Sequence, residues 1–95
     1  MKAVLHDVTD ERLMLMLRAL ANPARLQLFH QLRTQDDAHC HDLVEALPLS
    51  QSTVSEHLQR LKEAGLVRGE PHGTSRTYVI DEDALTWLKQ AVSAL

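Results

Sequence analysis

Pro48 divides the middle of this 95-residue chain, and what stands on either side of it limits the fold more than any other feature. Proline cannot continue a helix and disfavours helical backbone at the residue before it. The segment from roughly Cys40 to Leu47 is therefore expected to be a short helix that Pro48 closes. Leu49-Ser50 then forms a turn, and Ser50 caps a second helix from Gln51 to Ala64, its hydroxyl oxygen accepting an early backbone N–H. Val54, Leu58 and Leu61 fall on one stripe of that helix. Gly65 suits its end, because glycine adopts the left-handed backbone that terminates helices. A short helix, a turn and a second capped helix make a helix-turn-helix.

The flanking segments fit around this unit. A first helix is expected after Thr9, which caps it, running to about Leu20, with Asp10 and Glu11 against the positive helix end. Its Leu13, Met14, Leu15, Met16, Leu17 and Leu20 cover more than one stripe. A small core needs only one, so the surplus asks for a partner. Asn22-Pro23 is a start signal, a cap followed by proline at the first helical position. The helix it opens carries Leu26, Phe29 and Leu32, with Leu28 beside them, and ends near Thr34.

Downstream, Leu66–Glu70 and Ser75–Ile80 read as strands joined by Pro71-His72-Gly73-Thr74; Thr77, Tyr78, Val79 and Ile80 favour extended backbone. This hairpin directly after a helix-turn-helix is a wing. A last helix is expected from about Asp83, with Leu85, Trp87, Leu88, Ala91, Val92 and Leu95 again exceeding one face. The fold class is mainly α with a two-stranded β wing: a winged helix-turn-helix in the order helix, helix, helix, helix, strand, strand, helix. Residues 1–95 form one domain, with a flexible arm over 1–8, the helix-turn-helix over about 40–64 and the wing over about 66–80.

Composition narrows the function classes. A chain this short buries only about 60–65% of its unfolded surface and gains from pairing. No apolar run approaches the roughly 18–20 residues of a membrane span, and the first residues do not form a secretory signal. One cysteine, Cys40, excludes an internal disulfide and fits a reducing compartment, so a cytoplasmic location is expected. No Ser-His-Asp grouping, phosphate loop or metal-hydrolase pattern supports an enzyme. The net charge of −3 is low for a nucleic-acid binder, yet of the three stretches 1–49, 50–80 and 81–95 only 50–80 has a positive balance, four Lys/Arg against three Asp/Glu.

That stretch also holds the residues suited to reading DNA. The first turn of a recognition helix enters the major groove and needs short hydrogen-bonding side chains. Gln51 matches an adenine edge; Ser50, Ser52, Thr53 and Ser55 suit bases or phosphates. His57, Gln59 and Arg60 lie further along, towards phosphates. On the wing, Arg76, with His72 as a lesser candidate, suits the backbone or minor groove. A winged helix that binds protein instead of DNA is the competing class.

Three segments carry a resemblance: Leu20-Ala21-Asn22-Pro23-Ala24-Arg25-Leu26, Leu49-Ser50-Gln51-Ser52-Thr53-Val54-Ser55-Glu56-His57-Leu58, and Leu61-Lys62-Glu63-Ala64-Gly65-Leu66-Val67. They resemble the ArsR/SmtB family of bacterial transcriptional repressors over about residues 10–95. The resemblance implies a homodimer joined through its first and last helices, operator binding, and release when a signal binds or modifies the protein.

It also directs attention to a sensor site at the start of the third helix, where the family pattern is Cys-Val-Cys-Asp-Leu. This chain has His39-Cys40-His41-Asp42-Leu43. With one cysteine, a three-thiolate arsenic site is absent. Imidazoles suit Zn, Ni, Co or Cu. His39, Cys40 and His41 are thus the candidate metal residues, with His6 able to complete the set. On a regular helix, however, His39 and His41 would point about 200° apart. The family's other site, on the last helix, lacks its histidines here. Two alternatives stay open: redox switching at Cys40, whose pKa a neighbouring histidine and a helix N-terminus would lower, and repression without an effector.

Overall fold

The computed structural model describes residues 8–34, 38–39, 47–72 and 75–95, the side chains of 8, 9, 38, 39, 72, 75 and 76 excepted. Helix α1 spans Val8–Leu20, with Asp10 and Glu11 in its first turn and Arg18 in its last, charges that complement the helix dipole. It begins at Val8, so Thr9 lies inside it and is not its cap. Met16 and Ala19 are buried, while Met14, Leu15 and Leu17 remain 45%, 52% and 42% exposed. Only one stripe of the helix enters the core.

Helix α2, Pro23–Thr34, begins as its sequence dictates. Asn22 Oδ1 accepts from the backbone N–H groups of Ala24 at 3.0 Å and Arg25 at 3.1 Å, satisfying two donors that the helix cannot. Its buried stripe is Leu28, Phe29 and Leu32, whereas Leu26, three residues before Phe29, is 40% exposed.

Helix α3 spans Gln51–Glu63 and buries Val54, Leu58 and Leu61. It ends in a Schellman motif: Leu66 N–H donates to Leu61 O at 3.0 Å and Gly65 N–H to Lys62 O at 2.9 Å. Gly65 takes φ +82°, the conformation this closure needs. Leu61 and Leu66, the apolar pair that accompanies the motif, are both fully buried.

Strand β1 is Ala38–His39, β2 is Val67–His72 and β3 is Ser75–Ile80. They form an antiparallel sheet in the order β1-β3-β2. In the hairpin Val67 pairs with Ile80 and His72 with Ser75, so Pro71 and His72, expected in the turn, belong to β2. Leu66 precedes the strand and accepts Asp81 N–H at 3.0 Å. The third strand was not expected. A two-residue segment has no alternation to announce it, and it pairs because β2 leaves one edge of β3 with unsatisfied N–H and C=O groups.

Helix α4, Glu82–Ser93, is capped by Asp81, whose Oδ1 accepts Ala84 N–H at 3.0 Å. Ala84, Leu85 and Leu88 join the core formed by α1, α2, α3 and the hairpin. The Arg12 guanidinium lies 4.1 Å from the centre of the Trp87 ring and links α1 to α4 through a cation–π contact. The described residues therefore hold four helices. Of the helix expected over about 40–47, residues 40–46 lie outside the described residues and Leu47 is in a turn; of the arm expected over 1–8, residues 1–7 lie outside them and Val8 opens α1.

Candidate nucleic-acid interface

The candidate site begins where Leu49 N–H donates to Leu47 O at 2.8 Å, a tight turn that brings the chain to Ser50. Ser50 has extended backbone, and its Oγ accepts Thr53 N–H at 3.3 Å while its hydroxyl donates to Thr53 Oγ1 at 2.9 Å. Ser52 Oγ lies 3.2 Å from Ser50 Oγ. Three hydroxyls thus share a small network at the start of α3. Thr53 is half-buried, whereas Gln51, Ser52 and Ser55 are exposed. Behind them Val54, Leu58 and Leu61 lock the opposite face into the core.

The electrostatics of this end favour an anion. Helix N-termini carry partial positive charge and unpaired N–H groups. The first turns of α1 and α4 offset that charge with carboxylates, but the first turn of α3 contains none. Arg60 and Lys62 occupy its last turn.

His57 and Arg60 lie one to two turns beyond the polar end. His57 is half-buried, and its Nδ1 lies 3.4 Å from an Arg25 NH1. A guanidinium only donates, so a hydrogen bond here requires Nδ1 as the acceptor and leaves Nε2 to carry the ring proton. Arg60 is exposed and pairs with Glu63 at 3.2 Å; Gln59 also reaches Glu63, at 3.4 Å. Arg76 occupies β3 opposite Pro71, and His72 ends β2 opposite Ser75. Of the expected residues, Ser50, Gln51, Ser52 and Thr53 come together, Ser55, His57 and Arg60 continue along the same helix, and Arg76 belongs to the hairpin.

Sequence reasoning overlooked Arg25. Its Nε donates to Ala19 O at 2.7 Å, so one side chain ties the end of α1 to the middle of α3. No local signal marks it, since His57 lies 32 residues away in sequence.

His39 sits on β1 opposite Thr77, not at a helix start. The helical-periodicity objection to pairing it with His41 therefore loses its basis at His39. Cys40, His41 and His6 lie outside the described residues. Among the described residues no group of three or more His, Cys, Asp or Glu is placed to hold a metal ion.

Residues 22–68 match the family described as bacterial regulatory protein, arsR family. A crystal structure of a possible transcriptional regulator for arsenical resistance superposes with a TM-score of 0.75 at 32% identity, covering 83% of this chain and 81% of that one. The chain belongs to the ArsR family. The matched span of this ArsR-family protein contains all of α2 and α3 with the caps Asn22 and Ser50 and the closing Gly65. It is also similar to the transcriptional repressor SmtB of Mycobacterium tuberculosis, with 47% identity over 64 residues, 66% of this chain. That alignment spans only 46% of the repressor, about half its length. The homodimeric winged helix-turn-helix DNA-binding domain of a possible ArsR-family regulator from Mycobacterium bovis matches with a TM-score of 0.77 at 27% identity, over 98% of this chain and 89% of that one. The winged helix-turn-helix fold is thus established. Among the described residues no helix is long and apolar enough to cross a membrane.

Proposed function

We propose that this ArsR-family protein is a sequence-specific DNA-binding repressor that acts in the cytoplasm as a homodimer and leaves its operator when an effector binds. The observation that carries the reading is the first turn of α3, which offers Gln51 and Ser52 to solvent, has no carboxylate and is anchored from behind by Val54, Leu58 and Leu61. In this reading Gln51 reads a base edge. Ser50, Ser52, Thr53 and Ser55 hold the helix start against bases and phosphates, while His57, through Nε2, and Arg60 face the backbone. Arg76 extends the contact from the wing.

Dimerisation follows from what α1 and α4 leave uncovered. Met14 and Leu17 on one, with Val92 on the other, are large apolar side chains exposed on helices that already pack together. The relative from Mycobacterium bovis is homodimeric, which supports pairing of two copies.

For the effector, three-thiolate arsenite chemistry does not fit a chain with one cysteine. His39, Cys40 and His41, with His6 available, form a nitrogen-rich donor set that suits Zn, Ni, Co or Cu.

The test is binding to a palindromic duplex selected from random DNA, measured over a range of salt. Phosphate contacts release counterions, so log K is expected to fall linearly with log salt. A salt-insensitive or absent interaction rejects the reading. Adding each metal to the complex then tests the effector. Release that His39→Ala abolishes supports the metal site; release that survives the substitution, or no release, rejects it.

A further inference from the structure

A groove of about 340 Å³ opens where α1, α2 and α3 meet, and each helix contributes an arginine to it: Arg18, Arg25 and Arg60. The volume lies in the range of small-molecule pockets. Glu63 is the one carboxylate among its described lining residues, so three guanidiniums face a single negative charge in a chain whose net charge is −3. Three positively charged lining residues from three separate helices favour an anion there.

The donors are also incompletely used. Arg18 has no side-chain hydrogen bond or ion pair among the described residues. Arg25 commits one N–H to Ala19 O and one to His57, leaving three of five. Among the described residues Arg60 pairs only with Glu63, and both side chains are more than half exposed, at 57% and 52%. Such a surface pair is weak and readily exchanged for a better acceptor. Leu15 and Ala64 give the groove an apolar part.

We propose that this groove binds a small organic anion with two acidic groups on a short apolar spacer, the class to which short dicarboxylates belong. One acidic group faces Arg18 on α1, the other faces Arg25 and Arg60, and the spacer lies on Leu15 and Ala64. Guanidinium forks match carboxylates in bidentate fashion. Binding competes for Arg25, which holds His57, and for Arg60, so occupancy reaches the helix that carries Gln51. This last consequence rests on the DNA-binding reading; the binding site does not.

The experiment titrates the full chain, isotope-labelled, with succinate at neutral pH and constant ionic strength, and follows backbone amide shifts. Saturable shifts are expected at Ala19, Arg25, Arg60 and Ala64. Arg18→Gln and Arg60→Gln, both at exposed positions, should each weaken binding at least about tenfold, the loss of a charge-assisted hydrogen bond. Arg33→Gln, elsewhere on α2, should leave it unchanged. Non-saturating shifts, equal shifts with the uncharged succinamide, or equal affinity in Arg18→Gln would overturn the site. Inorganic phosphate binding as tightly as succinate would overturn the two-acid ligand class. A parallel operator titration tests the coupling. Succinate should lower DNA affinity in the parent chain and not in Arg18→Gln; saturable shifts without that change would reject the coupling and leave the site standing.

Discussion

Arg25 donates to His57 across 3.4 Å and, with its Nε, to the Ala19 carbonyl at 2.7 Å, so α1, α2 and α3 meet at one guanidinium. Ala19 lies in the last turn of α1, where carbonyls lack intrahelical partners. Replacing Arg25 with Ala leaves that carbonyl and His57 Nδ1 unpaired at a half-buried position. A loss of about 1–3 kcal/mol is expected, measured by denaturant unfolding. Arg25→Lys should recover only part, because an ammonium lacks the planar fork that serves both acceptors. Unchanged stability in Arg25→Ala would show that the three-helix junction holds without it.

Gln51 and Ser50 are neighbours with separable roles. Gln51 is exposed and makes no described hydrogen bond, while Ser50 caps α3 and donates to Thr53. Gln51→Ala should cost about 1–3 kcal/mol of binding to the preferred duplex and little on random DNA, with stability unchanged. Ser50→Ala should cost about 0.5–2 kcal/mol of stability, as lost caps do. Competition binding beside thermal unfolding distinguishes them. An equal loss for Gln51→Ala on both DNAs would remove it from base reading.

Gly65 owes its identity to backbone conformation alone. Its φ is +82°, and a Cβ added there would meet nothing within 4 Å. Gly65→Ala should therefore destabilise by about 1 kcal/mol, the strain of left-handed backbone less the reduced freedom of the unfolded chain. For a domain this size that is a fall of roughly 4–8 °C in Tm. Gly65→Asn should fall less, since asparagine tolerates that region. A drop well beyond this range would point to crowding that the open space around Gly65 does not suggest.

What the sequence disclosed follows from the range of each interaction. Asn22, Ser50 and Gly65 act on backbone groups within a few residues, so their chemistry alone located the start of α2 and both ends of α3. Val8 and Leu26 marked the limits of that logic. The sequence places a cap at Thr9, but α1 has already begun there, and Leu26 keeps an apolar spacing while remaining 40% exposed. Strand β1 and Arg25 were invisible for a different reason. Ala38–His39 becomes a strand only because β3 lies beside it, and Arg25 matters only because folding brings His57 to it. The polar end of α3 was legible in the candidate site; the latch behind it was not.

The exposed apolar residues of α1 and α4 give the assembly its test. Leu17 and Leu26 are similarly exposed, at 42% and 40%, but Leu17 belongs to α1 and Leu26 to α2. In a two-fold dimer through α1 and α4, any substitution in the interface acts twice. Burying a leucine contributes about 1.5–3 kcal/mol, and a glutamate there adds desolvation and repulsion from its symmetry mate. Leu17→Glu should therefore convert the dimer to monomer at micromolar concentration, seen in sedimentation. It should also weaken operator binding by at least about a hundredfold, as two linked half-site contacts become independent. Leu26→Glu should keep the parental mass and affinity. A monomeric parent chain, or a Leu17→Glu variant that still sediments as a dimer, would exclude this face from the assembly and require α3 to be presented to DNA in some other arrangement.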